Sequence, residues 1–187
     1  MTTTEPVVER NGVPVTKLQG TIAKLTAEPE LAAFRFSARS TWVEGTASTS
    51  TIDTWHGVGM DHAHAEAFTA TSDHPTLGHG HGATPHEFVL HALATCVSAG
   101  VATTAASRGI ELTAIDATIS GEMDVRGILG IDPDVRNGFS RIELEVSVEG
   151  DAPRADLDAL VAASTKRSAV FDILANPVSV AVTTPDA

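Results

Sequence analysis

The chain has 187 residues, 42% of them hydrophobic, with a mean hydropathy of +0.07 and a formal charge of −12 at pH 7. Those values fit a soluble globular protein with a sizeable core; an excess of carboxylates with no basic patch and no tyrosine speaks against nucleic acid as a partner. No apolar run follows a basic start and no window reads as membrane length, so the expectation is a cytoplasmic protein with no membrane partner, and a single cysteine excludes an intrachain disulfide and suits a reducing compartment.

Residues 1–30 are Thr-, Pro- and charge-containing with weak periodicity and read as an N-terminal arm; residues 31–187 read as a single domain. From Phe34, the alternation of Phe34, Phe36 and Ala38 with Arg35, Ser37 and Arg39 predicts a strand. Glu44-Gly45 predicts a turn, Thr46 to Trp55 a return strand, and Ala63 to Thr71 a third. The glycine-rich Gly78-His-Gly-His-Gly82 segment then predicts an unconstrained loop.

The longest helical pattern follows. Thr84 is a natural N-cap, Pro85 fits the first helical position, Glu87 completes a capping box, and Gly109 after Arg108 ends the helix. The lone cysteine, Cys96, lies in its middle. At 100° per residue its face holds Val89, Ala92, Leu93, Ala99 and Gly100, all apolar, so the thiol is expected in an apolar pocket or interface. Glycine costs about 1 kcal/mol against alanine inside a helix, so Gly100 signals the close approach of another backbone.

In the second half, Ile115, Ala117, Ile119, Gly121, Met123 and Val125 alternate with polar residues, as do Ile142, Leu144, Val146 and Val148, predicting two strands with one wet face each. Asp132-Pro133 and Asn137-Gly138 mark the loop between them. Pro153 opens a helix with Leu157, Leu160, Val161 and Ser164 on one stripe, Ser168 caps a short helix through Val170-Phe-Asp-Ile, and Val178, Val180 and Val182 predict a last strand. The grouping predicts an α+β fold.

All eight histidines fall between His56 and His91, including the pairs His62/His64 and His79/His81. Imidazole suits zinc, copper or nickel, so these four are the metal-binding alternative. No cofactor is otherwise expected.

Several segments, taken in order, carry a family resemblance: Ser72-Asp-His-Pro-Thr-Leu-Gly, the loop ending in Thr84-Pro85, Leu90-His-Ala-Leu-Ala-Thr-Cys96, Arg108-Gly-Ile-Glu-Leu, Asp124-Val-Arg-Gly-Ile-Leu-Gly-Ile and Ser168-Ala-Val-Phe-Asp-Ile-Leu-Ala-Asn-Pro-Val. Together they resemble the OsmC/Ohr family, in its longer branch, over residues 34 to 183 or so. The resemblance implies an intertwined homodimer, with two antiparallel-rich sheets around two central helices and the site where the subunits meet. It also implies a thiol-dependent peroxidase that defends against oxidative stress. Cys96 would reduce an organic hydroperoxide, the apolar residues Val89, Ala92, Leu93 and Gly100 would line the substrate pocket, and an external thiol would be the reductant.

This chain departs from the family pattern at three places. The family's glutamate just after the helix proline is His86 here, with Glu87 one residue later. On the helix His86 lies about 80° from Cys96 and Glu87 about 180°, so His86 is the positioning residue or an exposed first-turn histidine, and Glu87 a capping residue or part of the site. The family's arginine after the hairpin turn is absent from Thr46-Ala-Ser-Thr-Ser, which leaves Arg39 as thiolate stabiliser or as a solvated strand charge. Ser168 stands at the position of the resolving cysteine. The alternative to a peroxidase is a non-catalytic protein of the same fold that binds an apolar ligand, or a His-held metal, at the dimer interface.

Overall fold

The computed structural model describes residues 8–184 and divides into two compact units, one running to Val89 and the other from Leu90. In the first unit a tiny ladder, β1 (Glu9–Arg10) against β2 (Val13–Pro14), leads into α1 (Val15–Ala27) and a 3-10 turn at Pro29–Ala32. Where the sequence shows only weak periodicity, the structure has a helix. Its weak signal has physical causes: Val15 is its one buried residue, Pro14 at the N-cap makes no side-chain bond, and Gly20, Thr21, Ile22 and Thr26 are poor helix formers.

The expected hairpin is present and larger than predicted. β4 (Arg39–Glu44) turns at Gly45, which has φ +51, into β5 (Ala47–Gly57), and β6 (Met60–Ser72) returns along the other edge of β5. β3 (Arg35–Phe36) is split from β4 and pairs with the far end of β5, at His56 and Trp55. The β3–β5, β4–β5 and β5–β6 ladders are antiparallel. Much of this sheet is uncovered: Phe36 is 76% exposed, Trp42 69% and Phe68 66%.

The loop after β6 is not unconstrained. Asp73, only 2% exposed, accepts the Thr46 hydroxyl at 2.7 Å and the backbone N–H groups of His74 (2.8 Å), His79 (2.8 Å) and His81 (3.3 Å). His74 Nδ1 accepts the N–H groups of Thr76 and Leu77. A Cβ on Gly78 would overlap the Asp73 carboxylate, and one on Gly82 the Thr71 carbonyl, so these glycines make room for the carboxylate and for the strand end. The four donors hold the Asp73 carboxyl far below the ordinary carboxylate range, the Thr46 hydroxyl having the largest effect.

α2 (Pro85–Arg108) has the predicted bounds, and Gly109 follows at φ +80. By length and composition it is long and apolar enough to cross a membrane, with a mean hydropathy of 1.6 over its best window, which corrects the expectation that no such window exists. Its apolar face is used otherwise: Leu93, Val97, Val101 and Ala105 form the core of the second unit with Val148, Leu157 and Leu160.

In that unit β7 (Leu112–Glu122) pairs antiparallel with β8 (Arg141–Gly150), and Ile115, Ala117, Ile119 and Gly121 sit opposite Val148, Val146, Leu144 and Ile142. One face packs on the core and the other stays wet, as the alternation predicts. β7 ends before Met123 and Val125, a correction of the predicted strand. There the Asp124 carboxylate takes the Arg126 backbone N–H at 3.0 Å and its guanidinium at 2.9 Å, turning the chain. α3 (Arg154–Arg167) and α4 (Ala169–Ala175) follow, with Ser168 between them. The last predicted strand does not form: Val178, Val180 and Val182 are 59%, 78% and 90% exposed and have no ladder partner among the described residues. A strand needs a neighbouring edge for its N–H and C=O groups, and none among the described residues pairs with this segment.

The architecture is therefore α+β, with four α-helices and antiparallel sheets among the described residues.

Candidate functional site

Cys96 lies on α2, one turn before Gly100, with its thiol half-buried. A Cβ added to Gly100 would stand 3.1 Å from Ser164 Cβ, so the approach signalled by the glycine is that of α3. Ser164 is 3% exposed, and its hydroxyl is buried without a hydrogen-bond partner among the described residues. One turn further along the chain, at the break between α3 and α4, Ser168 comes to Cys96: its hydroxyl donates to Cys96 Sγ at 3.1 Å. The same oxygen accepts the backbone N–H of Phe171 at 3.1 Å and so caps α4. Ser168 is 4% exposed. Cys96 and Ser168, far apart in sequence, are thus in direct contact.

The other predicted site residues are placed as follows. Leu93 is buried in the second unit's core, Ala92 is half-buried, and Val89 is exposed at 36%. Glu87 does the work of a capping box: its carboxylate accepts both the Thr84 N–H (2.7 Å) and hydroxyl (2.8 Å), while Thr84 Oγ1 accepts the Glu87 N–H at 3.3 Å. The Thr84 backbone and hydroxyl donors, with a smaller contribution from His86, hold the Glu87 carboxyl below its ordinary range. His86 is half-buried on the first turn of α2. Arg39 is exposed on β4, on the rim of an open groove of about 540 Å³ that it shares with Ser37, Thr51 and Asp53.

The histidine pairs are engaged in local packing. The His62 ring stacks on Trp55 at 4.0 Å and its Nε2 lies 3.1 Å from the Gly57 carbonyl, and His64 meets Phe68 edge-on. The His79 and His81 rings lie 5.7 Å apart on the Asp73-anchored loop. Among the described residues no group of three or more His, Cys, Asp or Glu side chains is placed to hold a metal ion.

Sequence reasoning missed Asp73. The signal was present: an aspartate at the head of a Pro- and Gly-rich turn is the residue type that accepts hydrogen bonds from the backbone just beyond it. Ser168 was singled out at the site only through the family resemblance, since no local pattern joins residues on α2 and on the α3–α4 break.

Three findings concern relatives. A family model described as OsmC-like protein matches residues 78–183. No curated protein matches the sequence. Among solved structures, an OsmC-like protein from Mycoplasma pneumoniae is similar with a TM-score of 0.60 at 16% identity, over 76% of this chain and 89% of that one. An OsmC-like protein of unknown function from Vibrio cholerae is similar with a TM-score of 0.51 at 14% identity, over 74% and 92%. At such identities the structures speak for the fold alone. The family model spans more than half of the chain, including α2, Cys96 and Ser168, and on that ground this chain belongs to the family of OsmC-like proteins.

Proposed function

We propose that this protein is a thiol-dependent peroxidase that reduces organic hydroperoxides through Cys96, in cytoplasmic defence against oxidative stress. The observation that carries the reading is the contact of Cys96 with the residue at the resolving position, Ser168, within the segment matched to the family. The Cys96 thiolate attacks the terminal, hydrogen-bearing peroxide oxygen; the S–O bond forms as the O–O bond breaks, the sulfur becomes a sulfenic acid, and the alkoxide leaves as the alcohol on taking up the proton that the thiol gave up. Serine cannot form a disulfide. An external dithiol must therefore attack the sulfenic sulfur, releasing water and returning Cys96 to the thiol as the dithiol is oxidised to its disulfide. Arg39 is the proposed thiolate stabiliser and His86 the positioning residue. Val89, Ala92, Leu93 and Gly100 are the proposed apolar lining, with residues 31–187 acting as one domain behind an arm at 1–30.

The functional form is a homodimer. The uncovered aromatic residues of the β3–β6 sheet, the exposed valines at 178–182, and an α2 of which only 22% of the most apolar window is buried all support a second copy as their cover. A binding protein of the same fold, with an apolar ligand at that interface, is the second reading. It is favoured by Glu87, whose carboxylate is already taken by Thr84.

The test uses the intact protein with cumene hydroperoxide and a dithiol. Peroxide consumption that needs the dithiol, a sulfenic-acid adduct on Cys96 by mass spectrometry, and loss of both in Cys96→Ser are expected. Ser168→Cys should form a 96–168 disulfide on peroxide treatment, since the serine oxygen already stands 3.1 Å from Sγ. No consumption with any dithiol, and no disulfide in that variant, would leave the ligand-binding reading.

A further inference from the structure

We propose that Ser168 is a second positioning residue of Cys96, its hydroxyl a hydrogen-bond donor that orients the thiolate from the break between α3 and α4. This rests on the reading of Cys96 as the reactive thiol, and on three observations that are independent of it. The first is the pattern of hydroxyl partners. Thr95, Ser98, Thr103, Ser107 and Thr165 each donate to a helix carbonyl one turn back, the usual habit of hydroxyls in helices. Ser168, in extended backbone between two helices, donates instead to sulfur across the fold.

The second is the geometry at Ser168. Its backbone is extended, with φ −71 and ψ 118, and its oxygen is taken from one side by the Phe171 N–H. A hydroxyl has a single proton to give, and with the oxygen fixed by that N–H the proton is directed at Sγ. The third is burial. At 4% exposure water has little access to the serine, so its hydroxyl proton is given to Sγ rather than to solvent. A thiol sulfur is a weak acceptor and a thiolate a strong, charge-assisted one, so the bond strengthens once the thiolate forms and holds it in one rotamer. The effect is that of one directed bond, and does not depend on the field of α4.

The experiment follows the one thiol of the full-length protein through its iodoacetamide alkylation rate and its far-UV thiolate absorbance across pH, with Cys96→Ser as baseline. Ser168→Ala removes both the donor and the cap. Ser168→Gly removes the donor and keeps most of the capping strength, and Ser168→Thr keeps the hydroxyl. A hydrogen bond to a charged acceptor corresponds to a change of about tenfold or more. Alkylation at neutral pH should therefore slow by about tenfold in the Ala and Gly variants, with the absorbance midpoint moved to higher pH, and the Thr variant should recover most of the loss. A Gly variant that is folded by circular dichroism, with the wild-type rate and midpoint, overturns the assignment. If the Ala variant fails to fold, the Gly and Thr variants decide. The two proposals fail separately. A shifted midpoint in a protein that consumes no hydroperoxide removes the peroxidase and keeps the role of Ser168; peroxide consumption with unchanged midpoints does the reverse.

Discussion

Gly100→Ala tests the packing that brings α3 to the cysteine helix. The added Cβ would sit 3.1 Å from Ser164 Cβ and 3.6 Å from Ser164 Cα, where ordinary contact begins at 3.4 Å, so the helices must part by a few tenths of an ångström. α3 cannot give way freely, because Leu157 and Leu160 anchor it in the core, the latter with no exposure at all. Replacing a mid-helix glycine by alanine gains about 1 kcal/mol of helix propensity. Overpacking a filled interior costs about 1–3 kcal/mol. The net expectation is a destabilisation of about 0–2 kcal/mol, read from urea unfolding at one fixed protein concentration. The decisive measurement is the double-mutant cycle with Ser164→Gly, which removes the atom that the new methyl meets. In that background Gly100→Ala should be neutral or stabilising, giving a coupling energy of about 1–3 kcal/mol. Additivity of the two substitutions within about 0.5 kcal/mol would refute the claimed contact.

Glu87→Gln should lower stability near neutral pH, and its deficit should shrink in acid. The Glu87 carboxyl is depressed below its ordinary 4.5 by Thr84, so its contribution is complete above that value and is lost as pH falls through the folded-state value; thermal melts of both proteins from pH 7 downward check this. Asp73→Asn should speed amide hydrogen exchange at His79 and His81, whose N–H groups both end on the Asp73 carboxylate, without changing exchange at Val97 or Val101. The wild-type loop should itself loosen only in strong acid, well below the ordinary carboxyl range, because the native carboxyl is held low. In solution the protein should scatter light as a dimer that does not dissociate before it unfolds, and a monodisperse folded monomer at micromolar concentration would remove the intertwined assembly.

What could be read along the chain was local and periodic. The bounds of α2 follow from Thr84, Pro85, Glu87 and Gly109, because a helix end must satisfy its own orphan N–H and C=O groups and only a few residue types do so. The β7–β8 ladder follows from an alternation with a wet face and a dry one. Gly100 announced a neighbour, because a missing side chain inside a helix calls for a reason. Patterns of this kind fail where a residue's partner is distant or where the signal is ambiguous. α1 escaped because it buries little, and β7 was read past Glu122 because Met123 and Val125 keep the rhythm while Asp124 binds Arg126 and turns the chain. The C-terminal valines have strand chemistry and no edge to meet. Asp73 gathers donors from Thr46 and from three later residues, and Cys96 meets Ser168 across 72 positions of sequence. Such meetings are set by how α3 packs on α2 and how the loop closes on β6, which depend on side-chain volumes summed over the core and leave no periodic trace in the neighbouring residues.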